Sequence, residues 1–93
     1  MKSIMQADTD RCYICGCRGW LEWHHVFGGA NRKYSEEDGL KVRLCHYCHN
    51  EPPAGVHYNA ENMRWLRRLG QRAYEQNHSR DEFLKRYGRN YET

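Results

Sequence analysis

Five cysteines stand in two short clusters, and their spacing is typical of metal ligands. Cys12 and Cys15 are separated by two residues, and so are Cys45 and Cys48. Two intervening residues let both thiolates of a pair reach one ion from a single turn, and two pairs complete the tetrahedral sulfur shell that suits zinc. The spacing therefore predicts one structural zinc bound by these four thiolates, with no coordination position left open for chemistry.

Cys17 is the cysteine that this arrangement leaves over. It could replace Cys15 as a ligand or be a free thiol, and the two-residue spacer shared by both pairs favours the free thiol. The first residues contain no long apolar segment, so we expect no signal peptide and a cytoplasmic location. An odd number of cysteines in such a chain favours metal binding over disulfides.

Four of the six histidines lie where they could form a second site. A single histidine is more often a satisfied polar residue, but a zinc clamp would tie together both ends of the segment that carries these four. His24, His49 and His57 could then converge on a divalent ion, and three protein ligands would leave positions open for water or substrate. Adjacent strand residues point to opposite faces, so His25 fits better as a general base, a role that suits imidazole.

The strands and loops around these residues follow from side-chain patterns. Residues 20–27 are rich in aromatic side chains and predict a strand, which the glycines of residues 28–31 end. Residues 33–39 have the composition of a polar loop. Residues 40–44 alternate apolar and charged side chains, as a half-buried strand does.

Three helices are predicted in the second half of the chain. A short helix begins near Cys45 and stops before Pro52, because the residue before a proline disfavours helix. Asn59 can cap a longer helix over residues 60–77. Ser79 has the spacing of a capping box and opens a last short helix.

The length of 93 residues favours one small α+β domain. We expect a zinc-clamped core in residues 10–60 and a basic helical extension in residues 61–93, since so small a core is marginal without a metal. Residues 1–60 carry 7 Lys and Arg against 7 Asp and Glu, whereas residues 61–93 carry 8 against 5. The positive excess of the extension is a weak indication of nucleic-acid binding, and no stretch is apolar enough to cross a membrane.

Together these motifs resemble the HNH endonuclease family, over about residues 10–60. The matching features are Cys12-x2-Cys15, Glu22-Trp-His24-His25-Val, Leu44-Cys45-x2-Cys48-His49 and His57. The resemblance implies a ββα-metal, treble-clef-like fold with C-terminal helices. The short length and the RYGRNY segment at residues 86–91 resemble small phage or prophage-borne members, which would work in the cytoplasm of a bacterial host.

The family resemblance implies a role for each matching histidine. His24, His49 and His57 would bind the catalytic divalent metal, and His25 would activate water. The expected activity is hydrolysis of DNA phosphodiesters, by nicking or double-strand cleavage, to 5′-phosphate and 3′-hydroxyl ends. Mn²⁺, Ni²⁺, Zn²⁺ and Co²⁺ suit imidazole ligands, and Mg²⁺ would be unusual because it prefers oxygen.

One position departs from the family pattern. The asparagine that the family has before its second cysteine pair falls here at Gly39 or Leu40, and neither can orient His25 through a side-chain amide. The candidates for that base-orienting role are Asn31, Ser35 and Asp38. All three could equally be ordinary loop residues.

Contacts with DNA would come from basic side chains that neutralise phosphates without reading sequence. The main candidates are Arg32, Lys33, Arg64, Arg68 and Arg72, and further basic residues are Arg67, Lys85, Arg86 and Arg89. Any single one could instead belong to a solvated helix face. We therefore expect low intrinsic sequence specificity, and other phage packaging or recombination proteins are possible partners.

Two other functions are compatible with the cysteine pattern. A non-catalytic zinc-finger module that binds nucleic acid would keep the four-cysteine clamp and need no second metal. A treble-clef-like protein-interaction domain would bind neither a second metal nor DNA. The number of metal ions per chain separates the nuclease from both alternatives.

Overall fold

The computed structural model describes residues 2–92 as a small α+β structure with a two-stranded antiparallel sheet. The elements are β1 (Leu21–His25), α1 (Arg32–Glu37), β2 (Lys41–Cys45), α2 (His46–Asn50), α3 (Ala60–Tyr74) and α4 (Arg80–Tyr87), with a 3-10 turn at Gly29–Asn31. None of the helices in residues 2–92 is long and apolar enough to cross a membrane.

The two predicted strands are confirmed and pair with each other. Leu21 lies opposite Cys45, His24 opposite Val42 and His25 opposite Lys41. Because side chains alternate along a strand, His24 lies on the face that packs against the core. The first strand ends at His25 rather than residue 27, although the N–H of Val26 still donates to the carbonyl of Leu40.

The segment from residue 33 to 39 was predicted as a polar loop, and this prediction was wrong, because residues 32–37 form α1. Its one fully buried side chain is Ser35, whose hydroxyl donates to the carbonyl of Leu40 and accepts from the N–H of Phe27. Gly39 follows the helix with a φ of +72°, and a Cβ there would lie 2.4 Å from the carbonyl oxygen of Lys2. Six residues are too few to display a helical repeat of apolar side chains, so the sequence pattern was uninformative here.

The caps predicted for the last two helices are confirmed. The Asn59 side chain accepts from the N–H of Asn62 at 2.9 Å and starts α3, which ends at Tyr74 rather than near residue 77. Ser79 and Glu82 form both hydrogen bonds of a capping box at the start of α4. These local interactions satisfy the first N–H groups of each helix.

The residues that follow β1 anchor the two C-terminal helices. Phe27 is buried and its ring lies 5.6 Å from that of Phe83 and 4.6 Å from that of Tyr87. Gly70 lets α3 approach closely, because a Cβ at this position would lie 3.0 Å from Val26 and 3.1 Å from Phe27. The end of β1 is therefore held against α3 and α4 by one continuous apolar cluster.

Candidate active site

The first candidate site is a cluster of thiols at the end of β2. The Sγ atoms of Cys12, Cys15, Cys17 and Cys45 all lie within 4.8 Å of one another. The backbone N–H of Cys15 donates to Cys12 Sγ, and the N–H of Cys48 donates to Cys45 Sγ, each at 3.5 Å. Four thiols at this spacing could bind a structural metal such as zinc.

Cys17 belongs to this cluster, although the sequence favoured a free thiol. Cys48, the predicted fourth ligand, is buried and also lies beside the cluster, since burial and hydrogen bonds with Cys45 and Cys12 raise the pKa of its thiol. Five thiols therefore surround a site at which zinc would use four. The choice between Cys17 and Cys48 as the fourth ligand stays a prediction.

The backbone favours a thiolate at one position of the cluster. Burial raises the pKa of Cys12, but hydrogen bonds from the backbone N–H groups of Cys15, Cys45 and Ile14 outweigh it and lower the pKa to about 6. A hydrogen bond with Cys15 and burial raise the pKa of Cys17 to about 12. Because metal ligands must lose their protons, a cation is needed to complete the set of thiolates.

The second candidate site is a cluster of three imidazoles. The ring nitrogens of His24, His49 and His57 lie within 4.8 Å of one another, and Nε2 of His49 is 3.0 Å from Nε2 of His57. His24 comes from β1 and His49 from α2. Two backbone hydrogen bonds hold His57 against α2. The N–H of Val56 donates to the carbonyl of Cys48, and the N–H of His57 donates to the carbonyl of His49.

The donor atoms of this cluster fit a bound cation. Nε2 of His24 is buried without a hydrogen-bond partner, which is unusual for a polar atom. Burial, reinforced by the neighbouring His49 and His57, lowers the pKa of His24 to about 3, so its imidazole is neutral at pH 7. A neutral imidazole whose lone pair has no partner is the form that binds a metal.

Glu22 orients one of these imidazoles. Nδ1 of His49 lies 2.8 Å from a carboxylate oxygen of Glu22, and the hydrogen bond with His49 lowers the pKa of Glu22. A carboxylate only accepts, so Nδ1 of His49 donates and its Nε2 keeps the free lone pair. Carboxylates commonly orient metal-binding histidines in this way.

His25 lies at the end of the same strand and contacts a different carboxylate. Its Nε2 is 2.8 Å from Oε1 of Glu36, which also accepts from Nζ of Lys41. The hydrogen bond from Lys41, followed by that from His25, lowers the pKa of Glu36 to about 2. Nε2 of His25 therefore donates, and Nδ1 of the neutral ring carries the lone pair that could accept a proton.

The residues proposed from sequence to orient His25 make other contacts. Asn31 donates to the carbonyl of Tyr87, and Asp38 accepts from Arg86 and from the Tyr87 hydroxyl. The side chain of Ser35 binds the Leu40 carbonyl. Glu36 was missed in the sequence because its segment was interpreted as a loop. The available signal was the position of Glu36, five residues before Lys41, the residue that pairs with His25 across the two strands.

The predicted DNA-contacting residues do not form one surface group. Arg32 and Lys33 are exposed at the start of α1, whereas Arg64, Arg68 and Arg72 lie along α3. Nε of Arg72 is 2.9 Å from a carboxylate oxygen of Glu92, so its charge is compensated within the chain. Arg67, on the same helix, is close enough to the imidazoles to contribute, after burial and His49, to the lowered pKa values of His24 and His57.

No protein-family model matches the chain, and neither does any curated protein or solved structure. The function must therefore be argued from the two clusters and the side chains around them.

Proposed function

We propose that the protein is a metal-dependent endonuclease of the HNH type that hydrolyses DNA phosphodiesters, with His25 as general base. The observation that carries the proposal is the arrangement of three imidazoles around the unpartnered, buried Nε2 of His24. His25 follows His24 directly in the same strand and is close enough to contribute to the lowered pKa of His24, which supports its assignment as the base. An open three-ligand site beside a base is the composition of a hydrolytic metal centre.

The order of elements supports the same proposal. β1 carries His24 and His25, β2 leads into the second cysteine pair, and α2 carries His49. This order is the one that the ββα-metal fold implies, with the thiol cluster as its structural zinc site. The family also leads us to expect a cytoplasmic protein of phage origin that acts on the DNA of a bacterial cell.

The reaction would use the chain's own groups as follows. Nδ1 of His25 takes a proton from water, and the water oxygen forms a bond to phosphorus while the bond from phosphorus to the 3′-oxygen, in line with it, breaks. The leaving 3′-oxygen takes a proton from solvent and becomes the 3′-hydroxyl. Glu36 holds His25 in the tautomer that leaves Nδ1 free. A divalent ion held by His24, His49 and His57 would supply stabilisation of the negative charge that grows on the phosphate. Arg67 adds a positive charge near His24.

A plasmid-nicking assay tests this function. Wild type, His25→Ala and the control His78→Ala, all loaded with structural zinc, would be titrated with Mn²⁺, Ni²⁺, Co²⁺, Zn²⁺ and Mg²⁺. His78 lies beyond the C-terminal end of α3, where its ring stacks on that of Tyr74, so we expect its loss to leave the imidazole cluster intact. We expect metal-dependent nicking that falls by at least about 100-fold in His25→Ala, since a general base contributes 10²–10⁴-fold. Absence of nicking by folded wild type with every metal would disprove the proposal.

The alternative of a non-catalytic zinc module is favoured by Gly39 and Leu40, which stand where the family has its asparagine. Metal analysis of the purified chain separates the two functions. The nuclease binds a second ion after addition of Mn²⁺ or Ni²⁺, whereas a zinc module binds one ion in total.

A further inference from the structure

A groove lies between the first half of α3 and the residues after α4. It has a volume of about 200 Å³ and is lined by Ala60, Met63, Arg64, Arg67, Arg89 and Tyr91. Three of the six lining residues are arginines, and they come from two segments that are distant in sequence. We call this surface the arginine groove.

The arginines of the groove differ in their ion pairs from most arginines of the helices around them. Arg72 pairs with Glu92, Arg80 with Glu75, and Arg86 with Glu37 and Asp38. Within residues 2–92, no ion pair involves Arg64, Arg67 or Arg89. The groove therefore holds positive charge that the described part of the chain does not compensate, which suits an anionic ligand.

One end of the arginine groove adjoins the imidazole cluster. Nε of Arg67 donates to the carbonyl of Val26 at 3.2 Å, and Val26 lies two residues after His24. An anionic chain bound in the groove would therefore continue toward the proposed catalytic metal.

Tyr91 lines the groove and is itself held in place by contacts with the core. Its backbone N–H donates to the side-chain oxygen of Gln71 at 2.7 Å, and its ring lies 5.4 Å from that of Phe27. The guanidinium groups of Arg67 and Arg89 lie over this ring at 5.9 and 5.4 Å. Packing on an anchored aromatic ring restricts both guanidinium groups, which lowers the entropy lost when they bind a ligand.

We propose that the arginine groove binds phosphates of the DNA backbone that flank the phosphate cleaved at the imidazole cluster. The inference rests on the proposed nuclease function. It keeps the predicted Arg64 as a DNA contact and replaces the predicted Arg68 and Arg72 with Arg67 and Arg89. Guanidinium groups bind phosphate oxygens in a bidentate manner. Contacts of this kind position the strand without reading its sequence.

Fluorescence anisotropy with a labelled DNA duplex tests the groove without relying on cleavage. The zinc-loaded full chain, without added catalytic metal, would be titrated at several salt concentrations as wild type, Arg64→Ala and Arg89→Ala. The matched control is Arg80→Ala, which removes an arginine that is already paired with Glu75. We expect each groove variant to weaken binding roughly tenfold and to lower the slope of log K against log salt by about one, while the control leaves both unchanged.

Each outcome decides between the two proposals. If wild type nicks plasmid and the groove variants keep the wild-type salt slope, the groove proposal is wrong and the nuclease stands. If the variants lose slope but no metal supports nicking, the groove is a phosphate site and the nuclease proposal fails. Wild type that does not bind DNA, or that binds polyglutamate as tightly, overturns the assignment of the groove to nucleic acid.

Discussion

The thiol cluster and the imidazole cluster lie on neighbouring parts of the same sheet and helix, but they differ in ligand type and in the exposure of their residues. The thiols lie where Leu21 pairs with Cys45, at the start of β1, and the imidazoles lie near the end of that strand at His24. The helix α2 serves both clusters, since Cys48 and His49 are consecutive residues. Soft sulfur ligands in a complete shell suit a structural ion, whereas three imidazoles with His57 at the surface leave room for another ligand.

The two clusters also differ in the groups that form hydrogen bonds with them. Backbone N–H groups bind the sulfurs of Cys12 and Cys45, so the fold of the chain itself is tied to the thiols. Carboxylate side chains surround the histidines instead, with Glu22 on His49 and Glu36 on His25. Substitutions at the thiols should therefore affect stability first, and substitutions at the histidines and carboxylates should affect metal content or rate.

The largest effect is expected for Cys45→Ser. Binding of structural zinc contributes on the order of 10–16 kcal/mol in small domains, more than a chain of this size can lose and remain folded. We expect the variant to lose its zinc and its cooperative thermal unfolding, as measured by metal analysis and circular dichroism. A normal melting curve with no bound zinc would show that the thiol cluster does not stabilise the fold.

His57→Ala is expected to lose the second metal and keep the fold. The residue is exposed, so its removal creates no buried cavity. Titration with Mn²⁺ or Ni²⁺ followed by calorimetry should show affinity reduced by roughly 100-fold or more, since loss of even an indirect partner costs 10–100-fold. His78→Ala is the control, because His78 lies beyond the end of α3 and stacks on Tyr74, away from the cluster. Equal affinity of wild type and His57→Ala would remove His57 from the site.

A change in rate without a change in binding is expected for Glu36. We expect Glu36→Ala to lower kcat by about ten- to a hundredfold, part of the contribution of a general base, and to leave KM unchanged. Glu36→Gln keeps a side-chain oxygen that can accept from Nε2 of His25, so it should recover most of the rate. Glu37→Ala is the control, because Glu37 pairs with Arg86 on a different side of α1. If Gln and Ala at position 36 reduce kcat equally, acceptance of the hydrogen bond is not the function of Glu36.

The sequence was sufficient for features set by local spacing. The cap at Asn59 and the capping box at Ser79 each involve residues within one turn, and the alternating residues 40–44 marked the second strand. The contact between His25 and Glu36 depends on a short helix that the pattern did not reveal. The arginine groove joins residues of α3 to the segment after α4, and long-range contacts bring them together: both pack on Phe27, and the N–H of Tyr91 donates to Gln71.

The smallest effect is expected for Cys17→Ser, and it tests the one ambiguity within the thiol cluster. Cys48 is 7% exposed, whereas Cys17 is exposed. If Cys48 is the fourth ligand, Cys17→Ser keeps one zinc per chain and shifts Tm by only a few degrees, as an ordinary surface substitution does. The Cys48→Ser variant would then lose both its zinc and its folded structure. The reverse ranking would assign the fourth position to Cys17, and the buried Cys48 would be a packing residue whose high pKa keeps it a thiol.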